Sequence, residues 1–152
     1  LLVKPGDTVL LDDPCYFTMH ANLALHGAKV ITIPRDCDGM DLDAFEQLLI
    51  AHRPVLYMTN STLHNPTGHS FSPAQVYRLL ELSHRYGFHI LEDDLYCDMQ
   101  QRMTPRLAAG GLDNVSYVSA FATTGRTDDH PENDLWRHDV GTGGADYLHD
   151  AQ

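Results

Sequence analysis

The sequence predicts an α/β fold with three layers, in which helices cover both faces of a mostly parallel β-sheet. Short runs of β-branched and aliphatic residues alternate along the chain with segments whose apolar residues recur at helical spacing. Turn signals such as Pro5-Gly6-Asp7 separate these segments. Regular alternation of strands and helices is typical of βαβ units, in which successive strands lie parallel.

The first half of the chain contains three predicted strands and two predicted helices. Pro14 ends the first strand because proline has no N–H for the ladder, and Gly27 ends the first helix. In the second helix, apolar residues recur three and four positions apart. In order, the predicted elements are a strand at 8–11, a helix at 16–26, a strand at 28–33, a helix at 42–51 and a strand at 55–58.

The second half of the predicted fold begins with a long amphipathic helix. Ser72-Pro73-Ala74-Gln75 has the pattern of a capping box with proline at the first helical position. The helix continues to about Tyr86, and Gly87 ends it. The later predicted elements are a strand at 88–91, a short helix at 105–109 and a strand at 115–118.

Length, charge and cysteine content exclude several classes of protein. The 152 residues correspond to about one domain. The net charge of −11 argues against nucleic acid or a membrane surface as a partner, because phosphates would be repelled. No apolar run approaches the ~18 residues of a membrane span. Three cysteines without a CxxC pair indicate neither a disulfide framework nor a zinc site, so we expect a cytoplasmic chain with reduced thiols.

Both ends of the chain are unusual. It begins at Leu1 in the middle of a pattern, and we interpret it as a piece of a longer protein. Residues 122–152 show no sustained period and carry seven acidic residues against two arginines. We therefore predict a partial domain at 1–121, followed by an acidic tail at 122–152 that is solvated, disordered or translated out of frame.

Two polar segments follow neighbouring strands of the predicted sheet. The string Leu63-His64-Asn65-Pro66-Thr67-Gly68 comes after the strand at 55–58, and Glu92-Asp93-Asp94-Leu95-Tyr96 comes after the strand at 88–91. In open α/β sheets, ligands bind outside the carboxyl ends of the strands. The sequence therefore predicts one pocket that both segments line.

These strings resemble a known family. Asn65-Pro66-Thr67-Gly68 followed by Asp93-x-x-Tyr96 is similar to the fold-type I, class I/II pyridoxal-phosphate-dependent aminotransferases. The longer strings at 59–68 and 91–96 most resemble the aminotransferase-like domain of MocR/GntR-type regulators. Asp13-Pro14-x-Tyr16 also matches, and the resemblance extends from Leu1 to Phe121. It implies part of the large domain of such a transferase.

The resemblance implies pyridoxal 5'-phosphate as the cofactor and a role for four residues. Asp93 would lie beside the pyridine nitrogen and keep it protonated. Asn65 and Tyr96 would donate hydrogen bonds to the phenolic oxygen, and Tyr16 would stack on the ring. Pyridoxal phosphate acts as an electron sink whose properties the protein tunes.

Ordinary structural roles compete with these assignments. Asn65 before a proline is also common in plain turns, and Tyr16 could be a core residue at the start of a helix. We expect Asp94 to be a solvated strand end. His64 and Glu92 fit structural positions better than catalytic ones.

The family pattern breaks after Phe121. The family has a lysine there, whose amine joins the cofactor in a Schiff base. Thr123 occupies the expected position, and the only lysines of the chain are Lys4 and Lys29. We predict no catalytic residue in this chain and weak or absent cofactor binding. By resemblance, the glycine-containing phosphate cradle would precede Leu1.

Three functions remain open. The first is a piece of an aminotransferase that transfers an amino group between an amino acid and a 2-oxo acid, inactive without its lysine and homodimeric in the intact protein. The second is the ligand-sensing domain of a MocR/GntR-type transcriptional regulator. The third is metal binding through the histidines of the tail, although their spacing matches no known ligand motif; they are His130, His138 and His149.

Overall fold

The computed structural model describes residues 2–96 and 104–119. The predicted tail, Thr123, Cys97 and the three tail histidines lie outside these residues. The elements are β1 (Thr8–Asp13), α1 (Phe17–Leu25), β2 (Lys29–Asp36), β3 (Gly39–Met40), α2 (Leu42–His52), β4 (Leu56–Thr59), α3 (Pro73–Tyr86), β5 (His89–Asp93), a 3-10 turn (Ala108–Gly110) and β6 (Val115–Val118).

The strands form one sheet in the order β3-β2-β1-β4-β5-β6. All neighbouring pairs are parallel except β2 and β3, which form a short antiparallel pair. This mostly parallel α/β sheet confirms the predicted fold class. The register aligns Thr59 of β4 with Glu92 of β5, so the carboxyl ends of these two strands lie side by side.

The sequence signals at the helix ends are confirmed. Ser72 and Gln75 form the predicted capping box at the start of α3, and Gly87 ends that helix with φ 70°. In α2, the Asp41 side chain accepts hydrogen bonds from the N–H groups of residues 43 and 44. These caps satisfy N–H groups that a helix leaves without internal partners, which fixes where each helix begins.

The larger hydrophobic core lies between the sheet and the pair α2 and α3. Successive residues of a strand point to opposite faces, so Leu10 belongs to this core and Val9 to the other face. The buried members of the larger core are Leu10, Ile33, Met40, Phe45, Leu49, Tyr57, Phe71, Val76, Leu79, Leu82, Phe88, Ile90, Leu107 and Val115.

The opposite face of the sheet carries α1 and a smaller cluster. Its buried members in the described residues are Val3, Val9 and Leu56. The predicted helix α1 is present, yet none of its nine described residues is buried. Phe17 is 75% exposed and Leu25 is 87% exposed. The two faces of the sheet therefore differ strongly in how much apolar surface their helices cover.

Within residues 2–96 and 104–119, no helix has the length and apolar character that crossing a membrane requires.

Candidate functional site

A pocket of about 170 Å³ lies at the carboxyl ends of β4 and β5. The four residues that the sequence singled out all line it. Two further lining residues, Asn60 and Leu95, were not predicted as site residues, although they belong to the strings at 59–68 and 91–96. The full lining is Tyr16, Asn60, Asn65, Asp93, Leu95 and Tyr96.

Asp93 is the last residue of β5 and has an unsatisfied oxygen. Its Oδ1 atom is buried and has no hydrogen-bond partner within the described part of the chain. Burial raises the pKa of Asp93, while hydrogen bonds from the Asn60 side chain and the Leu95 N–H act in the opposite direction. A buried carboxylate oxygen without a donor is costly, and a positively charged N–H placed in the pocket would satisfy it.

The turn that carries Asn65 is held by several hydrogen bonds. Leu63 has φ 45°, a left-handed conformation that is unfavourable for a residue with a side chain. Its N–H donates to Ser70 Oγ at 2.9 Å, and the His64 N–H donates to the His69 carbonyl at 2.9 Å. These bonds join the residues before Asn65 to the residues after it, so they close the turn and offset the unfavourable backbone at Leu63.

Two tyrosines line the pocket from different elements. Tyr16 precedes α1 as its N-cap residue and is 43% exposed. Its ring centroid lies 5.0 Å from that of Phe17. Tyr96 follows the end of β5 and is half-buried. An aromatic face that is partly open to solvent can stack against a flat ligand.

A buried carboxylate, Asp12, lies beneath the pocket and was not predicted as a site residue. Tyr57 donates its hydroxyl to Asp12 Oδ1 at 2.6 Å, and Thr59 donates to Oδ2 at 2.7 Å. His64 Nε2 lies 3.3 Å from Oδ2, close enough for electrostatic contact although not aligned as a regular hydrogen bond. Burial raises the pKa of Asp12, but His64, Arg35 and the two hydroxyls outweigh this and hold it below its usual value.

Arg35 is the buried cation that pairs with Asp12. It is 1% exposed, and its Nη1 donates to Asp12 Oδ2 at 2.8 Å. The same nitrogen donates to Thr59 Oγ1 at 2.9 Å and to the Asn60 carbonyl at 2.8 Å. The guanidinium lies 3.8 Å over the Phe71 ring. A planar fork suits such a crowded position, since it can bind several acceptors and an aromatic face at once.

Two more buried carboxylates anchor the loop after β4. Glu92 accepts hydrogen bonds from the Ser61 hydroxyl and from the N–H groups of Leu107 and Ala108 at 2.9 and 2.8 Å. This network agrees with the structural position predicted for Glu92. Burial raises its pKa, and the three hydrogen bonds offset part of that effect.

The expectation that Asp94 is a solvated strand end is wrong. Asp94 is 1% exposed and accepts hydrogen bonds from Thr62 Oγ1, the Tyr117 hydroxyl and Arg106. The donors come from the loop after β4, from β6 and from the segment before the 3-10 turn. A carboxylate can be buried here because these neighbours replace the hydrogen bonds that water would supply.

Comparisons with known proteins agree with this geometry. The chain is 36% identical over 101 residues to the aminotransferase tdiD of Emericella nidulans, covering 63% of this chain and 23% of that protein. It is 30% identical over 128 residues to YdcR of Escherichia coli, described as an uncharacterized HTH-type transcriptional regulator, covering 80% of this chain and 27% of YdcR. The chain thus spans about a quarter of the length of these curated relatives.

The fold also matches solved structures. One is LysN, the α-aminoadipate aminotransferase of Thermus thermophilus, which was crystallised with N-(5'-phosphopyridoxyl)-L-leucine. The TM-score is 0.73 at 29% identity, over 80% of this chain and 33% of LysN. The family model for aminotransferase class I and II matches residues 1–124. The chain therefore belongs to the class I and II aminotransferase family.

Proposed function

We propose that this chain forms the ring-binding part of a pyridoxal-phosphate-dependent aminotransferase. The whole protein would transfer an amino group between an amino acid and a 2-oxo acid. The observation that carries this proposal is the buried Oδ1 of Asp93, which lines the pocket without a donor in the described residues. The membership of the chain in the aminotransferase family supports the same conclusion.

The residues of the pocket fit the cofactor ring. Asp93 would hold the protonated pyridine nitrogen, because a carboxylate in a buried setting prefers a charged donor. Asn65 and Tyr96 would donate to the phenolic oxygen, and Tyr16 would stack on the ring face. When bound, pyridoxal phosphate supplies an electron sink for bonds at the substrate's α-carbon.

The chain itself would orient the cofactor ring in a pocket whose polar supporting residues are buried from water. The bonds around Asn65 and the carboxylates beneath the loop keep the pocket wall in one arrangement before any ligand arrives. Fixed donors and acceptors need no reorganisation when charge changes on a bound ring, which is how such sites stabilise reacting groups. The protonated pyridine nitrogen would keep Asp93 ionised, and the Asp93 carboxylate would in turn keep the proton on that nitrogen.

The position of the two lysines supports noncovalent binding by this chain. Lys29 begins β2, so it lies at the amino edge of the sheet, whereas Asp93 ends β5 at the carboxyl edge. Lys4 precedes β1 and is exposed. Thr123, at the expected lysine position, lies outside the described residues. We propose that this chain alone binds the cofactor weakly and does not catalyse amino-group transfer.

A regulatory role is the second candidate. The 30% identity to YdcR over 128 residues favours the ligand-sensing domain of a MocR/GntR-type regulator. Reading the gene on both sides of this coding region would separate the two. A winged-helix domain encoded upstream would support the regulator, and a lysine-containing continuation without that domain would support the enzyme. We also propose that the whole protein is a homodimer, which sedimentation analysis would test.

Pyridoxamine 5'-phosphate is the best probe, because it carries the ring and needs no lysine amine. We expect it to bind this chain, and Asp93→Asn to weaken it roughly 10- to 100-fold, since a hydrogen bond between charged groups contributes about 1.5–3 kcal/mol. Absorbance titration measures both affinities. The control is Asp38→Asn, the same change at an exposed turn position, which should leave the affinity unchanged.

Two results would overturn the proposal. One is no detectable binding of pyridoxamine 5'-phosphate by the folded, unaltered chain. The other is equal binding by the unaltered chain and by Asp93→Asn, because the ring nitrogen would then not meet Asp93.

A further inference from the structure

Asn60 is a buried pocket residue to which neither the sequence nor the family resemblance assigned a role. It follows β4 directly, is 4% exposed and lines the pocket. Its Nδ2 donates to the backbone carbonyl of Asp93 at 2.9 Å. Its backbone carbonyl accepts a hydrogen bond from Arg35 Nη1 at 2.8 Å. Asn60 thus connects the buried ion pair beneath the pocket to the residue that presents the unsatisfied oxygen.

The support behind Asn60 is unusually well fixed. Arg35 is held by Asp12 at 2.8 Å and by the face of Phe71 at 3.8 Å, so it has little freedom to follow a moving partner. The contacts run from Asp12 through Arg35 and Asn60 to Asp93. They cross the sheet from β1 and β2 to β5, so the position of Asp93 depends on more than its own strand.

We propose that Asn60 is a positioning residue that directs the free Oδ1 of Asp93 toward the pyridine nitrogen of the bound cofactor. This inference rests on the proposed function. An amide has two N–H groups, so Asn60 can bond the Asp93 backbone and also act on its side chain. Asn60 holds the Asp93 backbone carbonyl at 2.9 Å, and the buried Oδ1 has no partner in the described residues, so Oδ1 is the atom left to bind a ligand.

Electrostatics supports the same role. Burial raises the pKa of Asp93, and the hydrogen bond from the Asn60 side chain lowers it. Asn60 therefore favours the ionised carboxylate, which is the form that binds a protonated ring nitrogen. A neutral donor suits this task better than a cation, which would compete with the ring for the same carboxylate.

The test compares pyridoxamine 5'-phosphate with its 1-deaza analogue, in which C–H replaces the ring nitrogen. Asn60→Leu keeps a similar volume and removes the donor. We expect it to weaken pyridoxamine 5'-phosphate roughly 3- to 10-fold and to leave the deaza analogue unchanged, since one hydrogen bond contributes about 0.5–1.5 kcal/mol. Only the interaction with the ring nitrogen distinguishes the two ligands, so general damage to the pocket would weaken both equally.

Two controls complete the experiment. Asn22→Leu makes the same change at an exposed position of α1 and should alter neither affinity. Carbon-13 NMR of the ligand-free chain follows the titration of Asp93, and its pKa should rise in Asn60→Leu. Should Asn60→Leu not fold, Asn60→Ser keeps one donor and should give a smaller selective loss.

The outcomes separate the two proposals. If the unaltered chain binds both ligands equally, the ring nitrogen does not meet Asp93 and the proposed function fails. If the unaltered chain prefers pyridoxamine 5'-phosphate, Asp93→Asn removes that preference and the folded Asn60 variants retain it, the proposed function stands and the role of Asn60 is overturned.

Discussion

This molecule has two buried layers of side chains, one apolar and one polar. The layer between the sheet and the helices α2 and α3 is apolar, with residues such as Leu79 and Phe88 fully buried. The layer at the carboxyl ends of β1, β4 and β5 is polar, and its carboxylates Asp12, Glu92 and Asp94 are buried just as completely. Both layers exclude water, yet only the second touches the candidate site.

The two layers have different roles: the apolar layer stabilises the fold, and the polar layer positions the residues of the candidate site. Apolar burial is favourable in any well-packed arrangement, so the first layer stabilises the fold without fixing individual atoms. Buried ions cost desolvation energy, and their pairing often no more than offsets that cost. What the polar layer provides is direction, because hydrogen bonds fix the loop that carries Asn60 and Asn65.

The largest effect is expected from breaking the buried ion pair on one side. Arg35→Met leaves Asp12 as a buried charge without its cation and should lower the free energy of unfolding by about 3–5 kcal/mol. The double variant Arg35→Met/Asp12→Leu should regain most of this stability. Its affinity for pyridoxamine 5'-phosphate should stay below that of the unaltered chain, because the support of the loop is not restored. Urea unfolding and absorbance titration measure the two quantities. A double variant that stays as unstable as Arg35→Met would show that the ion pair itself stabilises the fold.

Truncating an apolar core residue should lower stability without changing the affinity of the pocket. Leu79→Ala in α3 removes a fully buried side chain and should lower the free energy of unfolding by about 2–5 kcal/mol. The affinity of the folded variant for pyridoxamine 5'-phosphate should stay the same. Leu25→Ala is the control, since Leu25 is 87% exposed and its loss should change stability by less than about 0.5 kcal/mol. Lost affinity in Leu79→Ala at full folding would contradict the separation of the layers.

The smallest effect concerns pH. Burial raises the pKa of Glu92 above its usual 4.5, so the folded chain holds this proton more tightly than the unfolded chain does. Stability from this group is present below pH 4.5 and is lost as the pH rises through the folded value. Glu92→Gln removes the titration, so its stability relative to the unaltered chain should increase over that window.

Glu81→Gln is the contrasting control for the pH experiment. The Arg78 side chain holds the pKa of Glu81 below 4.5, so its contribution changes on the acid side of that value instead. Urea unfolding at a series of pH values measures both variants. A Glu92→Gln curve parallel to that of the unaltered chain would mean that Glu92 titrates alike in the folded and unfolded states.

The apolar layer could be predicted from the sequence, and the polar layer could not. The period of apolar residues indicated α2 and α3, and the capping box at Ser72 fixed the start of α3. The burial of a charged side chain, however, depends on partners distant in sequence. Asp12 and Tyr57 are 45 positions apart, and no local pattern indicates that they meet. No strand was predicted between the strand at 28–33 and the helix at 42–51, where the chain forms the two-residue strand β3.

The same reason explains which pocket residues were found. Asn65, Asp93 and Tyr96 belong to motifs that the family resemblance made recognisable, and the structure brings them together with Tyr16. Asn60 is an ordinary polar residue after a strand, so nothing local distinguished it. Asp94 was expected in solvent because a second acidic residue at a strand end is usually hydrated, and its three donors became evident only in the fold.

The outer edge of β2 has features that oppose aggregation between copies of this chain. Along Lys29–Pro34, β2 has a strand partner on one side only within the described residues, namely β1. A bare strand edge is a template on which another chain can add a strand. Pro34 has no N–H that could bind an added strand, and Lys29 places a charge at the start of β2. At the other end of β2, β3 already occupies the edge. The edge is thereby a poor seed for intermolecular β-pairing, which limits one route to aggregation.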